Sequence, residues 1–208
     1  GKPISLAKAV DASRSITNFR FFAQFSKDFS VENFEMDDAT NHVLLKPVGI
    51  AGLITPWNLP LYLLSWKIAP AIVMGNTVVA KPSELTPLTA NLLSETLHEI
   101  NFPAGVVNIV HGLGSEAGHA IVEHPKVNLI SFTGGTLTGK KVAETAAPMF
   151  KKLSLELGGK NATIVLEDTN LDESIPEIAR SGFMNQGQVC LCGSRIFVSD
   201  KIWDEFLD

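Results

Sequence analysis

From residue 48 onward the chain alternates short apolar runs with amphipathic stretches, and few folds accept that pattern. VGIAGLI, TVVAKP, VVNIVHG, VNLISFTGG, KLSLELGG, NATIVLE and SRIFVS read as strands. LYLLSWKIAPAIVMG (with an internal proline), TPLTANLLSETLHEI, SEAGHAIVEH, TGKKVAETAA and LDESIPEIARSGFMNQ read as helices between them. Apolar strands interleaved with such helices predict a parallel sheet covered on both faces. The expected class is α/β, doubly wound. Before residue 48 the pattern differs. A helix is expected from the start to about Phe25, with Leu6, Val10, Ser13 and Phe19–Phe22 marking its apolar face. Residues 30–46 look extended around a DDATN turn.

Composition narrows the function classes. The chain is 45% hydrophobic and 19% charged with a net charge of −5, which suits a core-forming protein. No basic stripe points to a nucleic-acid partner. No apolar run is long enough to span a membrane, and GKPISLAKAV lacks the pattern of a signal peptide. The only two cysteines, Cys190 and Cys192, cannot build a disulfide framework, so a reducing, cytoplasmic location is expected. Two thiols and five histidines without ligand spacing give no metal site.

In open α/β sheets ligands bind beyond the carboxyl ends of the strands, so the strand-to-helix corners carry the chemistry. HGLGSEAG holds Gly112, Gly114 and Gly118, and FTGGTLTG holds Gly134, Gly135 and Gly139. Glycine there lets backbone approach a phosphate at a helix N-terminus, though plain tight turns use it too and neither loop is a full G-x-G-x-x-G. At TVVAKPSE, Lys81 and Glu84 could face a sugar, the carboxylate accepting from both ribose hydroxyls and repelling a 2′-phosphate. A solvated pair capping a helix reads equally well.

The nucleophile candidates lie in NQGQVCLCGSR, where a helix gives way to loop. A reactive cysteine needs access and a thiolate, whereas a buried one is inert. Glu156 in LELGGKN, flanked by Leu155 and Leu157, is expected to be partly desolvated, which would raise its pKa toward that of a general base; a structural glutamate is the other reading. Asn58, between two prolines in PWNLP, offers a rigid amide to an oxyanion, or ordinary turn chemistry.

Taken together, TPWNLP, GNTVVAKPSE, FTGGTLTG, LELGGKN and GQVCLCGSR resemble the aldehyde dehydrogenase superfamily, in its order and spacing. The resemblance implies roles by position. Cys190 is the nucleophile and Cys192 a packing residue; Glu156 is the general base; Asn58 and the Cys190 N–H hold the oxyanion. The implied cofactor is NAD, contacted by Ile54, Thr55, Pro56 and Trp57, by Lys81, Ser83 and Glu84, and by Gly114. Phe132, Thr133, Gly134, Gly135 and Gly139, with Leu157 and Gly158, complete that set. Many relatives have serine where this chain has Gly135, so one side-chain contact to phosphate is lost. LPLYLLSWKIAPA, KKLSLELGGKNA and GQVCLCGSRIFV look most like the branch acting on 2-aminomuconate and 2-hydroxymuconate semialdehydes. In that branch an arginine matching Arg14 binds the substrate carboxylate.

The resemblance also implies organisation. Residues 1–157 correspond to most of an NAD-binding domain, with the 30–46 segment used in oligomerisation, and 158–208 to the beginning of a catalytic domain. The expected partner is a small aldehyde, in a homodimer or homotetramer. Family members are more than twice this long, so a partial copy is expected. Two other readings compete: a non-catalytic fragment that keeps the fold, and a cysteine esterase needing no NAD.

Overall fold

The computed structural model describes residues 2–208, which divide into two compact units. One runs from Ala7 to Glu156; the other comprises Leu157–Asp208 with the residues up to Leu6.

The larger unit is built on strands β3 (Ile50–Ile54), β4 (Thr77–Lys81), β5 (Val107–Ile109), β6 (Val127–Gly134) and β7 (Lys152–Leu157), the last reaching the unit boundary. They form one sheet in the order β5-β4-β3-β6-β7, preceded in the chain by an exposed antiparallel pair, β1 (Asn33–Glu35) and β2 (Thr40–His42). β3 runs parallel to both β4 and β6, and β4 parallel to β5. Helices α3 (Pro60–Val73) and α4 (Leu88–Glu99) cover one face; α5 (His119–Glu123) and α6 (Thr136–Ala146) pack on β6 and on each other. This is the α/β class that the alternation predicts.

Burial on both sides explains the apolar runs. Ala51 and Leu53 of β3 meet Leu64 and Ile68 of α3, Val78 and Ala80 of β4, and Ala90 of α4 in one core. Gly52 points the other way: a Cβ there would lie 2.5 Å from Ile121 and 2.9 Å from Ile130. Glycine lets α5 close on the sheet. Pro60 starts α3, where its missing N–H is harmless, and Gly75 ends it at φ +78°.

The N-terminal helix departs from expectation. A short turn, α1 (Ile4–Leu6), leads through a π-helical stretch (Ala7–Ala12) into α2 (Ser13–Asp28). Its buried face is polar: Asp11, Ser15 and Asn18. Tyr62 N–H donates to Asp11 Oδ1 at 2.9 Å, and Asn18 Nδ2 donates to Tyr62 O at 3.1 Å and to Ser65 Oγ at 2.9 Å. Tyr62 lies in the first turn of α3, whose N–H groups have no intrahelical acceptor, so the docking helix supplies one. Phe19 reaches the core, but Phe21, Phe25 and Phe29 lie exposed in an aromatic row, while Phe22 meets Trp66 edge-on at 6.0 Å. The expected apolar face therefore fails at Ser13 and Phe21, which are exposed, while Leu6, Val10, Phe19 and Phe22 are half-buried.

The smaller unit pairs β8 (Ala162–Val165) in parallel with β9 (Arg195–Val198). Between them runs α7 (Leu171–Phe183), capped by Asn170, whose Oδ1 accepts from Glu173 N–H. α8 (Trp203–Leu207) ends the chain. Among the described residues no helix is long and apolar enough to cross a membrane, and no cluster of three metal-ligating side chains occurs.

Candidate active site

Register brings three of the corners together. Ile54 pairs with Lys81 on one side and Phe132 on the other, so β3, β4 and β6 end side by side. Thr55 N–H donates to Lys81 O at 3.1 Å, carrying the alignment one residue past the strands. A cavity of about 680 Å³ opens there, lined by Ile54, Glu84, Gly114, His119, Phe132 and Lys141 among others. That volume suits a cofactor-sized ligand.

Lys81 is buried, and its Nζ donates to Glu84 Oε2 at 2.9 Å and to Pro82 O at 3.0 Å. The bond from Lys81 holds the Glu84 carboxyl below the usual carboxylate range. Glu84 is 43% exposed on the cavity wall, and its carboxyl keeps acceptor capacity beyond the Lys81 bond. The pair caps no helix: α4 begins at Leu88, with Pro87 as its N-cap and no side-chain cap bond. Ser83 is buried beside it, its Oγ accepting from Leu85 N–H.

The glycine corners are open where a phosphate would need them open. A Cβ at Gly114 or Gly135 would meet nothing within 4 Å. Gly135 is the N-cap of α6 and offers no side chain to its first N–H groups. Those donors and the helix dipole favour an anion. Gly139 is buried one turn later, Thr133 and Gly134 are half-buried, and the Thr55 hydroxyl is buried with no hydrogen-bond partner among the described residues. Pro56 is half-buried, Trp57 is exposed, and Asn58 lies half-buried in the bend before α3.

Glu156 does not match its sequence reading. It is exposed, whereas Leu155 and Leu157 are half-buried, because side chains alternate across β7. The flanking leucines turn to the other face and do not desolvate it.

One buried charge escaped the sequence reading altogether. Lys67, on α3 among Leu64, Ile68 and Ala71, donates from Nζ to Ser131 Oγ at 2.7 Å. Burial pushes its pKa down to about 8, and the Glu156 carboxylate acts against that shift. A lysine at core spacing on an apolar helix was the available signal. Its folded pKa lies below the unfolded value, so protonated Lys67 destabilises the fold below pH of about 8. Stability is expected to rise as pH climbs from there toward the unfolded pKa, since only the unfolded chain then holds the proton. Urea midpoints across that interval should rise in the wild type and rise less in Lys67→Met, where Lys151, whose pKa burial also lowers, still contributes.

In the smaller unit the two thiols separate. Cys190 is exposed and Cys192 buried. A 3₁₀ turn, Met184–Gly187, precedes them, with Asn185, Gln186 and Gly187 at φ +53°, +58° and +71°. Two consecutive non-glycine residues in the left-handed region are strained, and such strain gathers at functional loops. Gly193 is required by packing, since a Cβ would collide with the Thr163 hydroxyl. Leu157 is half-buried and Gly158 exposed. Arg14, back in the larger unit, is exposed on the first turn of α2 and pairs with no carboxylate among the described residues.

The larger unit is thus an α/β protein of the doubly wound class with a ligand-sized cavity at its strand ends, and the smaller unit, by itself, carries an exposed cysteine after a strained turn. The profile of the aldehyde dehydrogenase family matches residues 1–208, and the chain belongs to that family. It is 56% identical to the 2-aminomuconic semialdehyde dehydrogenase of Homo sapiens, over 100% of this chain and 43% of the relative. It is 49% identical to the 2-hydroxymuconic semialdehyde dehydrogenase of a Pseudomonas species, over 100% and 44%. A Bacillus cereus aldehyde dehydrogenase solved as its NAD+ complex superposes with a TM-score of 0.97 at 41% identity, covering 100% of this chain and 43% of that one. The chain thus spans less than half the length of the relatives it matches.

Proposed function

We propose that this chain serves an NAD-dependent aldehyde dehydrogenase that oxidises a muconate-type semialdehyde to the acid. The observation that carries the reading is that Cys190, which the family resemblance makes the nucleophile, is exposed on a loop after a strained turn, in a chain matched by the family throughout. The residues present fit NAD. Glu84 supplies a carboxylate for ribose hydroxyls, Gly114 and Gly135 leave the backbone open, and the α6 N-terminus suits a pyrophosphate. Ile54 and Phe132 give the cavity apolar walls, with Thr55, Pro56, Trp57, Lys81, Ser83, Thr133, Gly134, Gly139, Leu157 and Gly158 completing the contacts the family resemblance implies. Held by these residues, NAD would supply the hydride acceptor needed to bring the aldehyde to the oxidation level of an acid.

The chain's own residues do the rest. The Cys190 thiolate attacks the aldehyde carbon, forming a C–S bond and an oxyanion held by Asn58 Nδ2 and the Cys190 N–H. Loss of hydride leaves a thioester on Cys190. Glu156 takes a proton from water, whose oxygen attacks the thioester carbon; the thiolate departs and the acid is free. Arg14 holds the substrate carboxylate in a bidentate pair. The protein acts in the cytoplasm as a homodimer or homotetramer, with residues 30–46 in the interface, residues 1–157 forming the NAD-binding domain and 158–208 opening the catalytic domain.

NADH formation from a muconate semialdehyde by the full chain tests the reading, and its absence beside ester hydrolysis indifferent to NAD would overturn it in favour of an esterase. Arg14→Ala should raise KM for the muconate semialdehyde by about tenfold or more, as expected for losing a bidentate pair, while simple aliphatic aldehydes turn over as before. Loss confined to the aliphatic substrates would remove Arg14 from the site.

A further inference from the structure

The loop that carries Cys190 is gripped from outside itself. Asn161 Nδ2 donates to Cys190 O at 2.7 Å and to Cys192 O at 3.3 Å, so one amide spans alternate carbonyls. Asn161 is itself fixed, because its carbonyl accepts from Arg195 N–H at 3.2 Å where β8 and β9 begin to pair. Arg195 Nε adds a bond to Lys160 O at 2.9 Å. Gly159 runs close alongside: a Cβ there would lie in ordinary contact with Asn161 Oδ1, at 3.4 Å, and Cys190 O, at 3.6 Å. The same loop is held at Gly193, whose N–H donates to Ser181 Oγ at 3.2 Å.

We propose that Asn161 is the positioning residue for the nucleophile, an inference that rests on reading Cys190 as that nucleophile. By holding Cys190 O at 2.7 Å, the Asn161 amide sets the backbone rotation that follows the Cys190 Cα. That rotation aims the Sγ and the preceding N–H as one rigid piece. Ser181 holds the far end of the loop through Gly193 N–H, and Ser194 N–H donates to Cys192 O at 2.8 Å, so the distinctive hold of Asn161 is the one on Cys190 O. Asn161 is exposed, and exposed neutral hydrogen bonds add little to fold stability. Small errors in the aim of a nucleophile, by contrast, reduce rate steeply. Those two magnitudes separate an aiming role from a merely structural one.

The test is run on the full chain with Asn161→Ala, Asn161→Ser and Cys190→Ala. Asn161→Ala is expected to lower kcat by about tenfold or more, as misalignment of reacting groups does, with KM for NAD and the thermal midpoint unchanged. Asn161→Ser, which keeps one donor, should recover part of the loss. A wild-type kcat in Asn161→Ala overturns the proposal, as does a loss that follows the thermal midpoint and is not recovered by serine. Activity retained in Cys190→Ala instead removes the nucleophile reading beneath it. An inactive Cys190→Ala beside a fully active Asn161→Ala removes the positioning role alone.

Discussion

Cys190→Ala is expected to lower aldehyde oxidation by roughly ten-thousandfold or more, the scale seen when a covalent nucleophile is removed. The other thiol is no substitute for the lost C–S bond. The nearest candidate, Cys192, is buried, and its N–H donates to Val189 O at 3.1 Å in the turn that carries the loop. Cys192→Ala should therefore keep turnover close to that of the wild type while lowering stability slightly, through a small cavity under the loop. Steady-state kinetics on both variants, with peptide mapping after alkylation, checks the pair. Label at Cys192 in preference to Cys190 would reverse the assignment.

Asn58→Ala is the second large effect. An oxyanion donor acts on charge that develops only during reaction, so its removal should reduce kcat by roughly 10² to 10³, with little change in KM. Asn58→Asp should be at least as damaging, since a carboxylate would face the developing negative charge. Thermal denaturation of each variant separates a catalytic loss from a folding defect. The sequence expectation placed Asn58 in a stiff turn, and the structure has it in the bend that opens α3, with Pro60 starting the helix two residues on. A main-chain shift at that corner would also move Thr55, whose N–H is tied to Lys81 O.

Strand order and the corner residues were legible because a sheet buried on both faces leaves uninterrupted apolar runs, and the corners then follow from where each run stops. The Lys81–Glu84 pair was legible for the same reason. Three features were not. The buried face of the first helix is polar because Asp11, Ser15 and Asn18 satisfy the first turn of another helix, and periodicity of apolar residues cannot register that demand. Glu156 was misread because its leucine neighbours were taken to share its surroundings, when the two-residue period of a strand puts them on opposite faces. Lys67 went unnoticed because a lone lysine on an apolar helix is usually assigned to solvent, and only its contact with Ser131 marks it as internal. Asn161 is a fourth case of a different kind: the residue was quoted within a motif, but its bonds to the cysteine loop join positions about thirty residues apart.

The strand order β5-β4-β3-β6-β7 has one further consequence. From β3 the chain winds outward through β4 to β5, then returns to the other side of β3 for β6. The connections leaving β3 and β6 therefore part to opposite faces, and a crevice opens between them as a result of the winding itself. Its location does not depend on which side chains line it. Glu84 and Gly135 belong to a replaceable vocabulary written on that crevice, so preference among nucleotides can drift by substitution at the corners while the place of binding stays where the chain's path has put it.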